Sequence, residues 1–350
     1  MSFRAKAAAA VITLILLVGL NYVFEGLGDF QIDPYYARIV SLIGISITLA
    51  VSLNLINGQT GQFSLGHAGF MAVGGYTATF FTVAWGASIA QAMGSTLMSP
   101  LGGSVVMVLS LAVGALSAAV AGLLVGIPSL RLKGDYLAIV TLGFGEIIRV
   151  VILNIPAVGG ATGFTDAVPI TNFFWIFAMA ILTIVIVRNI RASTYGRALA
   201  AIREDEIAAE AMGVDTTRHK VLAFVVSSSL AGIAGALSGQ LFATPLNPAN
   251  LGFVKSIEVI IMIVLGGIGS ITGAVLGAVV ITALPEVLRD VDKQYPGLRM
   301  VVYALLLILM MIFRPQGLLG RRELSVDWLW KLTRRAPAAT PGGGGNVDEQ

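Results

Sequence analysis

Charged side chains inside otherwise apolar runs are the residues of this sequence best placed to do chemistry. Glu146 lies within the apolar run 135–153, and Arg149 follows it by three residues. That spacing puts both side chains on one face of a helix, where they can pair. Glu146 would lie about 16 Å along this helix, a depth at which a carboxylate in a membrane faces the bundle interior or water. The pattern predicts a structural ion pair, which we favour, or a polar group on a passage; Glu258 is a weaker case of the same kind.

The stretch from Asn54 to Tyr76 is polar and rich in glycine, yet it has no Asp, Glu, Lys or Arg. It lies between two apolar runs, where an exposed loop would normally carry charges. Irregular backbone at membrane depth is tolerated only where it is buried in protein or lines a cavity. The stretch is therefore either the lining of a passage or a buried turn whose amides satisfy two helix ends. The candidates for lining a passage are Gln59, Gln62, Ser64 and His67, together with Tyr136, Thr141 and Glu146 of the run 135–153.

A hydrophilic insert over residues 188–220 carries six basic and five acidic residues, more than a quarter of all charges in the chain. Within it, apolar residues recur at helical spacing and predict one amphipathic helix over 198–212, with Gly213 as its stop. Such a helix can pack into a groove of a protein partner. Acidic residues would repel anionic lipid, so a protein partner is favoured over a membrane surface, with a solvated loop as the alternative. The apolar stripe consists of Leu199, Ile202, Ala209 and Met212.

The composition excludes most classes of soluble protein. Of 350 residues, 56% are hydrophobic and 12% are charged, against about 25% charged in ordinary soluble domains. So few charges cannot cover a water-facing surface, which argues against a soluble enzyme, a nucleic-acid binder and a disordered chain. The sequence has no cysteine and two histidines, which excludes thiol chemistry and predicts neither a metal site nor a cofactor. It also has no Walker A motif, so we expect a non-enzymatic membrane protein.

Ten apolar runs are long enough, or nearly so, to cross a bilayer, and they predict an all-α polytopic bundle. The split between the eighth and ninth runs, at residues 265–272, is the least certain boundary, and reading 254–288 as one helix would give nine spans. The predicted spans are 7–24, 36–56, 67–85, 103–127, 135–153, 172–188, 219–243, 254–267, 271–288 and 298–313.

The distribution of basic residues favours ten spans with both termini in the cytoplasm. This topology places 16 Lys and Arg residues inside and 6 outside, in accord with the positive-inside rule. Nine spans would leave 13 inside and 9 outside. We therefore predict a membrane domain over 1–320 that includes the cytoplasmic insert. Residues 321–350 are predicted to form a basic segment at the inner membrane interface, followed by a disordered Gly-rich tail.

Five motifs resemble the LivM-type permease subunits of branched-chain amino acid ABC importers, over about residues 36–320. The longest, LRLKGDYLAIVTLGFGEIIR over 130–149, is specific for this type of subunit. The others are GQTGQFSLGHAGFMAVGGY over 58–76, YGRALAAIREDEIAAEAMG over 195–213, LGGIGSITGAVLG over 265–277 and FRPQGLLG over 313–320.

The resemblance implies a type II ABC importer permease-like bundle in the inner membrane. Its implied partners are a LivH-type second permease, two cytoplasmic ATP-binding subunits, a periplasmic amino acid binding protein and membrane lipid. Leucine, isoleucine and valine are the implied substrates, moved by ATP-driven alternating access, although the family extends to urea and short-amide importers. A stand-alone secondary transporter is the remaining alternative. The insert takes the place of the coupling element, and its predicted contacts with an ATPase subunit are Arg197, Arg203, Glu204, Asp205, Glu206, Ala209 and Gly213.

Overall fold

The computed structural model describes residues 15, 17–22, 33–132, 134–241, 246–289, 298–313, 317–320 and 323. Regular structure in these residues is helical, apart from one isolated bridge between Phe164 and Leu246. The helices are α1 Pro34–Asn54, α2 His67–Ala92, α3 Pro100–Ser129, α4 Asp135–Leu153, α5 Phe173–Ala192, α6 Thr194–Glu204, α7 Glu206–Ala211, α8 Thr216–Gly239, α9 Phe253–Gly266, α10 Ile271–Val287 and α11 Leu298–Phe313. A π-helical turn, Leu55–Thr60, extends α1, and 3-10 turns lie at Pro156–Val158, Gly160–Thr162 and Pro248–Leu251.

The all-α fold predicted from the sequence is confirmed. Within the described residues a helix lies at each of nine predicted spans, and five helices are long and apolar enough to cross a bilayer. The predicted split is also correct, because α9 ends at Gly266 and the Ser270 hydroxyl caps α10 by accepting from the Gly273 amide (3.0 Å). Of the first predicted span, 7–24, only residues 15 and 17–22 are described, and they are helical. The C-terminal segment 321–350 lies outside the described residues except for Glu323.

The single helix predicted over 198–212 is wrong, because the insert forms two helices that break at Asp205. The backbone of Asp205 is extended (φ −156°, ψ 110°), and its carboxylate accepts from the amides of Ile207 (2.9 Å) and Ala208 (3.0 Å). Aspartate is a preferred N-cap because it satisfies such orphan donors. The break resets the helical phase, so Met212 is 84% exposed and does not join the buried stripe of Leu199, Ile202 and Ala209.

Glycines bring the backbones of α2, α3 and α8 into direct contact at the centre of the bundle. A Cβ atom at Gly74 would lie 2.3 Å from Cα of Gly232, and one at Gly232 would lie 2.4 Å from the carbonyl oxygen of Gly114. At Gly235 the distance to the carbonyl oxygen of Met71 would be 2.0 Å. Small residues permit this close approach in membranes, where apolar side chains gain little by leaving lipid. These three helices therefore form the rigid centre against which α1, α4 and α9 are placed.

Candidate functional site

The polar stretch that follows α1 is a buried turn in this structure. All six residues of the π-helical turn Leu55–Thr60 are buried, and the turn ends at Gly61, whose φ of +69° is in the left-handed region. π-Helical turns are rare and occur frequently at functional sites. The side chains of Gln59 and Thr60 bond to protein, as the buried-turn interpretation expects, and whether the segment also lines a passage stays a prediction.

Asn54 joins this turn to the connection between α9 and α10. Its side-chain oxygen accepts from the Gly269 amide (2.8 Å), and its side-chain nitrogen donates to the Ser270 carbonyl (3.1 Å). Gln59 donates to the Gly269 carbonyl (2.9 Å). A Cβ atom at Gly58 would lie 2.7 Å from Cα of Gly269, so the two backbones touch. We call residues 54–60 together with residues 266–270 the inner junction.

Arg203 connects the charged insert to the inner junction. One terminal nitrogen of its guanidinium donates to the Gly58 carbonyl (3.1 Å), and the other pairs with the exposed Glu204 (2.7 Å). Arginine suits this place because its rigid fork can serve two acceptors at once. A movement of α6 is thus connected directly to the π-helical turn.

The described part of the FRPQGLLG motif covers the other side of the inner junction. The amide of Leu318 donates to the Leu265 carbonyl (2.7 Å), and that of Leu319 donates to the Gly266 carbonyl (3.2 Å). Glu323 accepts from the Ile271 amide (3.2 Å) at the start of α10 and pairs with Arg191 of α5. A carboxylate is favourable at a helix N-terminus because of the exposed amides and the helix dipole. Motifs that are far apart in sequence therefore meet at this junction.

The helix α7 rests on a buried ion pair. Lys220, at the start of α8, is 2% exposed, and its Nζ lies 2.6 Å from Oε2 of Glu206. Ala209 is also buried, whereas Arg197, Glu204 and Asp205 are exposed. Gly213 ends the helix with φ +84°, which a residue with a side chain rarely adopts. Glu206 and Ala209 thus face the protein, and the predicted contact residues that face outward are Arg197, Glu204, Asp205 and Gly213.

A tyrosine at the start of the insert fixes α6 to α8. The Tyr195 hydroxyl donates to the His219 carbonyl, and the two rings stack at a centroid distance of 5.0 Å. Burial raises the pKa of Tyr195 to about 12, so the hydroxyl remains a donor throughout the physiological range. Tyr195 therefore holds α6 against α8, and the Glu206–Lys220 pair holds α7 against the same helix.

The predicted passage residues fall into two groups. Thr141 is buried and accepts from the Leu65 amide (3.1 Å), and His67 bonds through Nε2 to the Ser52 hydroxyl (2.8 Å). Ser64 is buried as well, whereas Tyr136 is 72% exposed and Gln62 is partly exposed. The buried group, Thr141, His67 and Ser64, lies where α1, α2 and α4 meet. Whether any of them lines a passage stays a prediction.

The ion pair predicted within α4 is present. Nε of Arg149 donates to Oε2 of Glu146 (2.7 Å), while Oε1 accepts from the Phe253 amide at the start of α9 (3.0 Å). Gly252 allows this approach, because a Cβ atom there would lie 2.9 Å from Cδ of Arg149. The carboxylate thus joins α4 to α9 as well as pairing within its own helix.

Sequence reasoning missed two residues of the site. Asn54 was part of the uncharged stretch but was not singled out, although an uncharged carboxamide at the end of an apolar helix was a usable signal. Lys220 was counted only as a basic residue, and no local pattern indicated that it would be buried against Glu206. Both residues bond to elements distant from them in sequence or in helical phase, so the local spacing of residues did not predict these contacts.

The family model for the branched-chain amino acid transport system permease component matches residues 35–311. The chain belongs to this family of permeases. The match spans the helices from α1 to most of α11, and it contains the inner junction residues and the insert. Members of the family are transport permease components, which agrees with the non-enzymatic role expected from the composition.

Curated relatives of this permease carry names from the same transport system. The high-affinity branched-chain amino acid transport system permease proteins LivM of Salmonella typhimurium and of Escherichia coli are each 34% identical to it, over 83% of this chain and 71% of theirs. LivH of Escherichia coli is 38% identical over 42% of this chain and 45% of its own. A solved metal-chelate type ABC transporter in an inward-facing conformation matches at a TM-score of 0.44 with 17% identity, covering 87% of this permease and 99% of that chain. At that TM-score no role is inferred from the structural likeness.

Proposed function

We propose that this permease is the LivM-type subunit of an ATP-driven importer that carries leucine, isoleucine and valine across the inner membrane. Its proposed partners are a LivH-type permease, two cytoplasmic ATP-binding subunits and a periplasmic amino acid binding protein. Both termini lie in the cytoplasm, and residues 1–320 form the membrane domain. The family membership and the names of the relatives support this assignment.

The main support for the proposal is that the cytoplasmic insert combines a firmly held helix with exposed apolar side chains. Its short helix α7 is held by the Glu206–Lys220 pair, yet two large apolar side chains are exposed there, Ile207 within α7 (73% exposed) and Met212 directly after it (84% exposed). Apolar side chains exposed on a firmly held, otherwise polar element are typical of a docking surface for another protein. An ATPase subunit with an apolar groove would hold these two side chains and transmit its movement to a rigid support.

The movement would reach the membrane helices through Arg203. When an ATPase subunit pushes on α6 and α7, the Arg203–Gly58 hydrogen bond carries the displacement to the inner junction. The junction joins the inner end of α1 to the α9–α10 turn through Asn54. Shifting these helices as one body would open the path alternately to each side, because packed interfaces switch between discrete arrangements.

Uptake by the reconstituted complex tests the function. We expect liposomes that contain both permeases and both ATPase subunits to accumulate leucine, isoleucine and valine when ATP is inside and the binding protein is outside. Uptake of urea or acetamide instead would assign the complex to the amide branch of the family. Saturable leucine uptake by this permease alone, without ATPase subunits, would contradict the proposed function.

The docking surface is tested with Ile207→Ser and Met212→Ser combined. We expect the double variant to insert and to copurify with the second permease but to lose at least about tenfold in affinity for the ATPase subunits, since apolar anchors dominate such interfaces. Leu132→Ser is the matched control, because Leu132 is an exposed apolar residue between α3 and α4 rather than in the insert. Equal loss of ATPase subunits in both variants would contradict docking at α7.

The transmission step is tested with Arg203→Ala. We expect the complex to assemble and to hydrolyse ATP, while leucine uptake per ATP hydrolysed falls by roughly tenfold, because a hydrogen bond from a charged group is lost at the junction. Arg218→Ala is the control, since it removes another arginine of the insert, exposed at the start of α8, and leaves the Gly58 contact in place. If both variants lose coupling to the same extent, the contact with Gly58 is not the transmitting one.

A further inference from the structure

The guanidinium of Arg149 has unused donors at the outer end of α4. Arg149 pairs with Glu146 through Nε, and its two terminal nitrogens have no hydrogen-bond partner among the residues that the structure describes. The side chain is 30% exposed. It lies about 21 Å along α4 from Asp135, which the proposed topology places in the outer third of a bilayer core about 30 Å thick. A charged group at this depth is costly unless it faces water or binds something.

A second ion pair nearby shows the contrast. On α9, Nζ of Lys255 donates to both oxygens of Glu258 at 3.1 Å each, so each carboxylate oxygen has a partner within the pair. In the Glu146–Arg149 pair each carboxylate oxygen again has a partner, since Oε2 accepts from Arg149 and Oε1 accepts from the Phe253 amide. In these two ion pairs, Arg149 is the residue that offers a planar fork of donors, since its two terminal nitrogens have no partner among the described residues.

The surroundings fix the orientation of that fork. Glu146 accepts both from Nε of Arg149 and from the Phe253 amide, the first of α9, so rotation of the guanidinium would break its bond to a carboxylate that the neighbouring helix itself holds. Gly252 lies against Cδ of Arg149, where a Cβ atom would approach to 2.9 Å. A guanidinium that is held at Nε presents its two terminal N–H groups in the geometry that suits the two oxygens of a carboxylate.

We propose that the terminal nitrogens of Arg149 bind the α-carboxylate of the amino acid as it enters the path from the outer side. Glu146 acts as a positioning residue that holds the guanidinium in place. This inference rests on the proposed function, because it assigns a role to Arg149 only if the substrate is an amino acid. The site would favour substrates with a carboxylate over uncharged amides and urea, and this selection would add to that of the binding protein.

A thiol-protection assay tests the site directly. The chain has no cysteine, so Val150→Cys, next to Arg149 and exposed, supplies a single reporter on this chain. The complex without binding protein is treated from outside with a membrane-impermeant thiol reagent, with leucine, leucinamide or urea at millimolar concentration. We expect leucine to slow labelling several-fold and leucinamide and urea to leave it unchanged. Equal protection by leucine and leucinamide, or no protection by leucine, would overturn the proposal.

Paired variants separate the site from helix packing. Glu146→Gln with Arg149→Gln is compared with Lys255→Gln with Glu258→Gln, since each double change removes one i,i+3 pair from a membrane helix. We expect only the first to abolish protection by leucine and to lower kcat/KM for leucine uptake by roughly tenfold or more. Arg149→Lys, which keeps the charge without the fork, is expected to restore part of both.

The outcomes distinguish this inference from the proposed function. If the wild-type complex imports leucine and the Arg149 variants import it equally well, the carboxylate site is wrong and the importer stands. If the wild-type complex imports urea instead of leucine, both are wrong. Copurification of each variant with the second permease and unchanged basal ATPase activity establish that the variants are folded. If a double variant fails this check, Arg149→Lys is tested in its place. Full protection by leucine and full uptake with Arg149→Lys would contradict the requirement for a planar fork of donors.

Discussion

Gly235→Ala is expected to destabilise the permease strongly, because it drives α8 away from α2. The new Cβ atom would lie 2.0 Å from the carbonyl oxygen of Met71 and 2.8 Å from the amide nitrogen of Gly75. Both neighbours are backbone atoms, so no side-chain rotation can relieve the clash. Overpacking costs about 1–3 kcal/mol and occasionally more, and we expect the upper end here because backbone has to move, which is a large part of the stability of an ordinary domain. We expect loss of the three-helix centre rather than a graded decrease in transport.

Gly143→Ala is the matched control. Gly143 also lies in a membrane helix, α4, and a Cβ atom there meets nothing within 4 Å. Because alanine is about 1 kcal/mol better than glycine in a helix, this variant should be as stable as the parent or more stable. The measurement is the detergent-solubilised yield and thermal midpoint of each variant, copurified with the second permease. A Gly235→Ala protein with the parental midpoint would show that α2 and α8 do not pack through this contact.

Glu206→Ala is expected to detach α7 from the membrane domain and to abolish coupled transport. The substitution leaves the Lys220 ammonium, which is 2% exposed, without its carboxylate partner. Removing one member of a buried pair costs about 3–5 kcal/mol, because an uncompensated charge stays buried. This cost destabilises the attachment of α7 to α8 and not the packing of α8 itself, so we expect α8 to remain in place. ATP hydrolysis should continue, while leucine uptake falls by at least about tenfold.

Glu210→Ala supplies the comparison for that variant. Glu210 lies one turn further along α7, is exposed, and accepts one hydrogen bond from the Thr216 hydroxyl (2.9 Å). Its loss should change uptake by less than about threefold, because exposed polar contacts contribute little. The measurements are leucine uptake and ATP hydrolysis in the same proteoliposomes. If Glu206→Ala with Lys220→Met restores uptake, the unpaired ammonium is the cause; if it does not, the pair does more than anchor α7.

Elements that depend on local pattern were predicted well. The run 135–153 coincides with α4, and the i,i+3 spacing of Glu146 and Arg149 was sufficient to predict their pairing. The boundary at 265–272 also followed from glycine and serine between two apolar runs. The insert is helical as predicted, but its helix was predicted as continuous, because the spacing of Leu199, Ile202 and Ala209 tolerates the break that Asp205 introduces.

The inner junction could not be derived from the sequence. Asn54 bonds to Gly269, 215 positions away, and Arg203 to Gly58, 145 positions away. Polar side chains in a membrane protein must find partners, yet nothing in their own neighbourhood states which helix will supply them. Gln59, predicted as a lining residue, likewise has a partner far along the chain, because it donates to the Gly269 carbonyl. Whether it also lines a passage stays a prediction.

The membrane class, the helical spans, the charged insert and the family follow from the sequence alone, because hydropathy, charge and motif are properties of neighbouring residues. Helix packing was needed to establish that α7 stands on a buried Lys220, that Arg203 reaches the π-helical turn, and that the terminal nitrogens of Arg149 have no partner among the described residues. These contacts join residues that are distant along the chain. They form because a buried polar group must be paired and because glycines let particular backbones approach one another, and both conditions are met only when the helices are packed.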